Sequence, residues 1–200
     1  MAHPYQDRFF HQAKKEHYLA RAVYKLREVQ DKYGIIRQGD RVLDLGAAPG
    51  SWMQLTSAVI GPRGALVGVD LKPIDHPFPP NVTSLPRDIS DPAFIDELAA
   101  AYPPFDVVLS DMAPATSGFR FADSARSELL FERALEIAVQ ILKPRGNFLA
   151  KIFQGGEFHA ILLEVRKHFG KVKVVKPEAS RKESKEIYIL GRSFKKTVVS

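Results

Sequence analysis

The sequence contains no cysteine among its 200 residues. This absence excludes disulfide frameworks, thiolate-bound zinc or iron–sulfur sites, and thiol nucleophiles. It is also typical of a reducing compartment. No apolar run is long enough to span a bilayer, and residues 1–10 lack the apolar segment of a secretory signal. We therefore expect a cytoplasmic protein that does not bind membranes.

Charge is distributed unevenly along a chain of ordinary globular composition. Hydrophobic residues make up 45% of the sequence and charged residues 26%, which at this length predicts one domain with a sizeable core. The net charge of +6 divides into +4 for residues 1–41, −6 for 42–165 and +8 for 166–200. The two basic ends are either an uneven solvated surface or a face that binds a polyanion, and charge alone leaves both open.

Predicted strands and helices alternate along the chain. Short apolar segments predict strands at 41–45, 65–69, 82–85, 106–110 and 147–152, separated by predicted helices at 51–60, 92–101, 124–142 and 157–169. An amphipathic helix is predicted over about 14–33. Two final strands, 171–176 and 187–191, follow one another with no helix between them.

This pattern predicts the α/β class, with a mostly parallel seven-stranded sheet, helices on both faces and a C-terminal antiparallel hairpin at one edge. We expect residues 1–200 to form a single domain. Its basic N-terminal helical region covers about 1–33, and its basic C-terminal segment covers about 166–200.

A strand-to-helix turn rich in small residues suggests a cofactor site. Gly46 and Gly50 allow a ligand to approach the backbone. Asp70 ends the next strand, 20 residues after Gly50, and a carboxylate there can accept hydrogen bonds from both hydroxyls of a ribose. The pattern predicts an adenosine-type cofactor at the carboxyl ends of the strands.

The turn lacks the glycine fingerprint of a dinucleotide site. Ala48 stands where the second glycine would be, and Pro49 has no N–H to offer a pyrophosphate. The acidic residues at positions 44, 70, 88 and 111 suit a cation better. S-adenosylmethionine, with its sulfonium and ammonium groups, therefore fits better than the cofactor of a nicotinamide-dependent oxidoreductase, which would share the fold.

Four separate motifs resemble the FtsJ/RrmJ family of RNA ribose 2′-O-methyltransferases. They are Asp44-Leu-Gly-Ala-Ala-Pro-Gly-Ser-Trp52, Ser110-Asp-Met-Ala-Pro114, Lys151-Ile-Phe-Gln-Gly155 and Ser184-Lys-Glu-Ile-Tyr188. The similarity extends from about residue 12 to residue 188. It implies a Rossmann-like methyltransferase domain that uses S-adenosylmethionine, with cofactor contacts from Gly50, Trp52, Asp70, Asp88 and Asp111. One departure is Ser51, where bacterial relatives usually have glycine; serine at a helix start is a good cap.

The resemblance also implies a catalytic tetrad of Lys25, Asp111, Lys151 and Glu186. Lys151 has support of its own, because it interrupts an apolar strand and a buried lysine is uncommon unless it is paired or functional. A ribose hydroxyl must lose its proton at or after attack. Lys151 is the candidate for removing that proton or for orienting the oxygen. The scattered histidines do not predict a metal site.

Basic and aromatic residues near both ends are candidates for contacting RNA. The basic ones are Lys14, Lys15, Arg21, Arg27, Arg181, Lys182 and Lys185; the aromatic ones, which can stack on bases or cover the sheet, are Tyr5, Phe9, Phe10 and Tyr18. The resemblance to short bacterial members implies a uridine of large-subunit ribosomal RNA as the target, in the RNA itself or in the large subunit. We expect a monomer. Transfer RNA is an alternative substrate. A non-catalytic ribosome-assembly protein is an alternative of another class, which the complete tetrad disfavours.

Overall fold

A computed structural model describes residues 4–115, 117–180 and 184–196, without the side chains of 4–7 and 120. The strands of the described chain are β1 (Arg41–Leu45), β2 (Ala65–Asp70), β3 (Val82–Pro86), β4 (Phe105–Ser110), β5 (Leu142–Phe153), β6 (Phe169–Val175) and β7 (Glu186–Phe194). Its helices are α1 (Pro4–Lys15), α2 (Val23–Tyr33), α3 (Ser51–Ile60), α4 (Phe94–Ala101), α5 (Arg120–Ile141) and α6 (Phe158–His168).

The seven strands form one sheet in the order β3-β2-β1-β4-β5-β7-β6. Strands β1 to β5 run parallel, whereas β7 runs antiparallel to both β5 and β6. The predicted α/β class, the seven-stranded mostly parallel sheet and the antiparallel hairpin are therefore confirmed. The hairpin joins the sheet through its second strand, β7, which pairs with β5, whereas its first strand, β6, lies at the edge. This order brings the start of β7 next to the end of β5.

Two apolar layers cover the two faces of the sheet. Helices α4, α5 and α6 bury one face, and α1, α2 and α3 bury the other. Along β5, Phe148, Ala150 and Ile152 pack in the first layer and Leu149 in the second. Because side chains alternate across a strand, Lys151 lies on the face that α1, α2 and α3 cover.

The prediction of one continuous helix over about 14–33 is wrong. Helix α1 ends at Lys15 and α2 begins at Val23, and His17 between them has a left-handed backbone with φ of 60°. Gln54 of α3 holds this connector: its amide donates to the His17 carbonyl at 3.1 Å and accepts from the Leu19 N–H at 2.9 Å. The helical spacing of Leu19 is therefore coincidental.

Gly191 of β7 lies under the buried ring of Phe169, which stacks on Phe148 with 5.8 Å between ring centroids. A Cβ at position 191 would lie 2.6 Å from Cγ of Phe169. We expect Gly191→Ala to reduce the free energy of unfolding by about 1–3 kcal/mol through overpacking, measured by urea denaturation. Gly170→Ala is the matched control, because its Cβ would meet nothing closer than 3.4 Å. Equal losses in both variants would contradict this packing.

Candidate active site

The predicted site residues converge at the carboxyl ends of the parallel strands. Asp111 directly follows β4, and Lys151 lies near the end of β5. Glu186 begins β7, whose antiparallel direction pairs it with Phe153 at the same edge. Lys25 reaches this edge from the first turns of α2. The fold thus assembles four residues that are up to 161 positions apart in the sequence.

Asp111 is the centre of the assembled cluster. Its Oδ1 lies 3.0 Å from Nζ of Lys151 and 3.9 Å from Nζ of Lys25. Lys151 also donates to the Asp111 carbonyl oxygen at 2.6 Å. Lys25 in turn lies 2.7 Å from Oε1 of Glu186. The structure therefore brings the four predicted tetrad residues together, while their catalytic roles stay predictions.

The lysines determine the charge state of Asp111. Burial alone would raise its pKa, but the charges of Lys151 and Lys25 and the hydrogen bond from Tyr188 outweigh burial and hold the pKa of Asp111 below its ordinary value. Asp111 is therefore an anion at neutral pH. With Glu186, it balances two lysines, one of which, Lys151, is only 5% exposed.

Tyr188 is a member of this cluster that the sequence indicates only as the end of a motif. Its hydroxyl donates to Oδ1 of Asp111 at 2.6 Å. Burial, followed by the negative charges of Asp111 and Glu186, raises the pKa of Tyr188 well above its ordinary value, so the hydroxyl remains a donor. The available signal was its position two residues after Glu186, which places both side chains on one face of β7.

Trp52, a predicted cofactor contact, is buried in the core. Its indole N–H donates to the Ala22 carbonyl at 2.9 Å, and its ring centroid lies 5.9 Å from that of Tyr188. Trp52 therefore joins α3 to the connector before α2 and to β7. Its contact with a cofactor stays a prediction.

Asp70 and Asp88 organise the turns that follow β2 and β3. Asp70 accepts the Ala48 N–H on Oδ2 at 3.0 Å and the Lys72 N–H on Oδ1 at 2.9 Å. Asp88 accepts the Ser90 N–H at 2.8 Å. Each carboxylate oxygen has a second lone pair, so both residues keep the capacity to accept bonds from a ligand.

Gly50, not Ser51, precedes helix α3 as its cap residue. Its φ is 105°, a left-handed conformation that favours glycine, and no side chain caps the helix. Ser51 is the buried first residue of α3, so its expected capping role is wrong. A Cβ at position 50 would lie 3.0 Å from Ile74 and 3.2 Å from Phe78. The proline-rich loop 73–80, which connects β2 to β3, therefore lies close over the turn.

The surroundings of Asp44 indicate whether this turn fits a cationic cofactor. It is fully buried in β1, and within the described part of the chain neither carboxylate oxygen accepts a hydrogen bond. Burial, and then the negative charges of Asp111 and Asp70, raise the pKa of Asp44 well above its ordinary value. An unpartnered acid beside two other carboxylates fits a positively charged ligand. The sequence marks Asp44 only as one of four acidic residues, although a charge inside an apolar strand was a usable signal.

The N-terminal aromatic residues divide between core and surface. Phe9 and Tyr18 pack against Tyr24, with ring centroids 5.3 Å and 6.3 Å apart, so both cover the core. Arg27 donates to Glu16 at 2.8 Å and to the Tyr18 hydroxyl at 2.7 Å. Phe10, Lys14, Lys15 and Lys185 are exposed; the predicted contacts Arg181 and Lys182 and the Tyr5 side chain lie outside the described residues.

Across residues 4–115, 117–180 and 184–196, no three acidic or histidine side chains are grouped as a metal site. Over the same ranges, no helix has the length and apolar character needed to cross a membrane.

The raised pKa of Asp44 predicts that the stability of the folded protein depends on pH. Because folding raises the pKa of Asp44, the stability associated with its protonated form is present at low pH and is lost as the pH rises through the raised value. We expect Asp44→Asn to remove this loss, so that in thermal unfolding the ligand-free variant gains stability relative to the wild type as the pH rises above the ordinary pKa of an aspartate. Its affinity for S-adenosylmethionine should fall by about 1.5–3 kcal/mol in calorimetric titration.

Asp75→Asn, in the exposed proline-rich loop, is the control and should change neither quantity. A parallel pH profile for Asp44→Asn and the wild type, together with unchanged affinity, would contradict the role assigned to Asp44.

Known proteins resemble the chain over nearly its full length. The sequence model described as FtsJ-like methyltransferase matches residues 18–194. Ribosomal RNA large subunit methyltransferase E of Syntrophobacter fumaroxidans is 59% identical, over 98% of this chain and 100% of that protein. The protein of the same name from Methanothermobacter thermautotrophicus is 45% identical, over 95% and 90%. A crystal structure from Plasmodium falciparum, described as a ribosomal RNA methyltransferase, has a TM-score of 0.77 at 26% identity and covers 88% of this chain and 98% of its own. The chain belongs to the FtsJ-like methyltransferase family.

Proposed function

We propose that this methyltransferase modifies a ribose 2′-hydroxyl of large-subunit ribosomal RNA, with S-adenosylmethionine as the methyl donor. The observation that carries the proposal is the Asp111 cluster, which holds two lysines at the carboxyl ends of the strands. The relatives' names specify large-subunit ribosomal RNA as their substrate, and 59% identity over nearly the full chain supports the same substrate here. A uridine is the acceptor that the family resemblance implies.

The residues around the Asp44–Trp52 turn suit this cofactor. When bound, S-adenosylmethionine supplies a methyl group on a positively charged sulfur that is already reactive toward an oxygen nucleophile. The unpartnered Asp44 would hold the positive charge. Asp70 would accept bonds from the ribose hydroxyls, and Asp88 would reach the adenine amino group, as the resemblance implies. Gly50, with its left-handed φ of 105°, allows the turn to take this shape.

Lys151 is placed to hold the attacking hydroxyl. An ammonium group has three donors, and two of them are directed to the carbonyl and carboxylate oxygens of Asp111. The third can donate to the ribose oxygen and fix it in line for attack, which is the principal task when the donor is already reactive. Because the amine already donates to both of these oxygens, its geometry supports the orienting role over the role of base.

The proton of the hydroxyl can leave after the new bond forms. A ribose oxygen that has gained a carbon holds its remaining proton weakly, so a weak base is enough to accept it. The Asp111 carboxylate, whose pKa lies below its ordinary value, is such a base within the cluster. Lys25 and Glu186 hold each other at 2.7 Å beside it and keep the cluster electrically balanced.

The basic ends support RNA binding by the same domain. Helix α1 packs through Ala13 into the apolar layer on one face of the sheet, and β6 and β7 near the C-terminal end are strands of that sheet. These observations support a single domain over residues 1–200 that includes both basic regions. Lys14, Lys15 and Lys185 are exposed and available to phosphates. We expect a monomer that acts in the cytoplasm on ribosomal RNA or on the large subunit.

Nucleoside analysis tests the reaction and the substrate together. The protein is incubated with labelled S-adenosylmethionine and separately with large-subunit ribosomal RNA, assembled large subunits and transfer RNA. We expect the label to be recovered as 2′-O-methyluridine from the ribosomal samples. Label recovered on a base, or only in transfer RNA, would contradict the proposal.

Removing the Lys151 amine should abolish most of the chemistry without harming the fold. We expect Lys151→Ala to lower kcat by at least ~10²-fold, the scale of losing the group that holds the attacking atom in line, while affinity for S-adenosylmethionine is retained. Lys151→Arg should not restore activity, because a planar guanidinium differs in shape from an ammonium. Lys143→Ala is the matched control at the opposite end of β5. Near-normal turnover by Lys151→Ala would refute the assignment.

A further inference from the structure

The motif that begins at Lys151 continues to Gln154 and Gly155, which the reaction itself does not use. These two residues line a pocket of about 590 Å³ between the first turns of α5 and the loop from β5 to α6. The α5 side consists of Phe121, Ser124, Ala125 and Glu128, the loop side of residues 154–157, and Lys185 completes the rim. We propose that this pocket receives the base of the nucleotide that is methylated, with Phe121 as its stacking surface; the inference rests on the proposed ribose methylation of RNA.

The pocket adjoins the catalytic cluster. The backbone N–H of Gln154 donates to the carbonyl of Lys185 at 3.0 Å, and the next residue after Lys185 is Glu186 of the cluster. In the sheet, Phe153 pairs with Glu186 and Lys151 with Tyr188. The rim of the pocket is therefore continuous with the two strand ends that carry the cluster.

The covalent structure of a nucleotide requires a place for its base near the reacting hydroxyl. The base is attached to the same sugar ring, so a ribose held at Lys151 carries its base within a few ångströms of the cluster. Proteins that act on single nucleotides commonly unstack the base and place it against an aromatic or apolar side chain. The volume of the pocket lies within the ordinary range for small-ligand sites, roughly 300–1,000 Å³.

Phe121 has the properties of such a stacking surface. Its side chain is 87% exposed, and among the described residues it belongs to neither apolar layer of the core. Packing therefore does not explain a large aromatic ring at this position. Phe119 is also strongly exposed, at 76%, but it does not line the pocket. The two residues thus form a matched pair for experiment.

Gly155 fixes the loop that presents Gln154. A Cβ at position 155 would lie 2.5 Å from Oε1 of Glu128 and 3.0 Å from Cβ of Ser124, so a larger residue here would displace the Glu128 carboxylate and crowd the loop against α5. Glu128 also accepts the Glu157 N–H at 3.3 Å. The Gln154 side chain remains exposed at the rim, where its amide offers both a donor and an acceptor to the edge of a base.

A comparison of two RNAs isolates the contact with the base. One RNA carries the target nucleotide, and the other carries an abasic ribose at that position, which keeps the 2′-hydroxyl. On the first RNA, we expect Phe121→Ala to lower kcat/KM by roughly 5- to 100-fold, the scale of one lost base–aromatic stack. On the abasic RNA, the same variant should match the wild type. Phe119→Ala should resemble the wild type on both RNAs, and Phe121→Trp should retain activity on the first.

Affinity for S-adenosylmethionine, measured by calorimetry, should be equal in all variants and reports that they are folded. Unchanged kcat/KM for Phe121→Ala on the first RNA, or an equal fall on both RNAs, would overturn the base pocket and leave ribose methylation intact. A wild type that methylates no ribose would instead overturn the proposed function, and the pocket with it.

Discussion

The site depends on the interactions that the carboxylate of Asp111 makes with its neighbours. This carboxylate collects a lysine from β5, a lysine from α2 and a tyrosine hydroxyl from β7 on a single oxygen. Taking a carboxylate out of water is costly unless it is paired and hydrogen-bonded. Lys151 reaches Asp111 because β5 lies beside β4, and Tyr188 reaches it because β7 lies beside β5. The insertion of the hairpin with its second strand inward therefore brings both Tyr188 and Glu186 to the cluster.

Two aspartates in this site show how neighbouring groups change the pKa of a carboxyl group. Asp111, whose side chain is 16% exposed, has two lysines and a tyrosine and remains charged, whereas the fully buried Asp44 has no donor in the described chain and its pKa is raised. At Asp111 the neighbouring charges outweigh the effect of burial, and at Asp44 they add to it. Lys25, Lys151 and Tyr188 satisfy the carboxylate of Asp111. Asp44 stays unsatisfied within the described chain, an arrangement that costs stability and favours the cationic cofactor that we propose.

Local sequence patterns predicted most of the fold and part of the site. The apolar strands, their parallel order and the final hairpin follow from periodicity, but periodicity does not reveal which strand of a hairpin faces inward. The break between α1 and α2 depends on Gln54, a residue 35 positions beyond the Leu19 N–H that it binds, and so it has no local signal. Lys25 and Glu186 lie in ordinary charged runs, and only the family resemblance indicated them. The hydrogen bond from Tyr188 to Asp111 and the unpartnered state of Asp44 within the described chain are visible only in the folded structure.

The identity of the accepting atom is the most direct test of the central claim, that this cluster serves transfer of a methyl group to a ribose hydroxyl. The measurement uses two RNAs that differ by one atom, one with the target ribonucleotide and one with its 2′-deoxy counterpart. Incorporation of labelled methyl groups into the ribonucleotide and none into the deoxynucleotide is the predicted result. Methyl incorporation at the deoxynucleotide would place the acceptor on the base and contradict the function proposed for the Asp111 cluster.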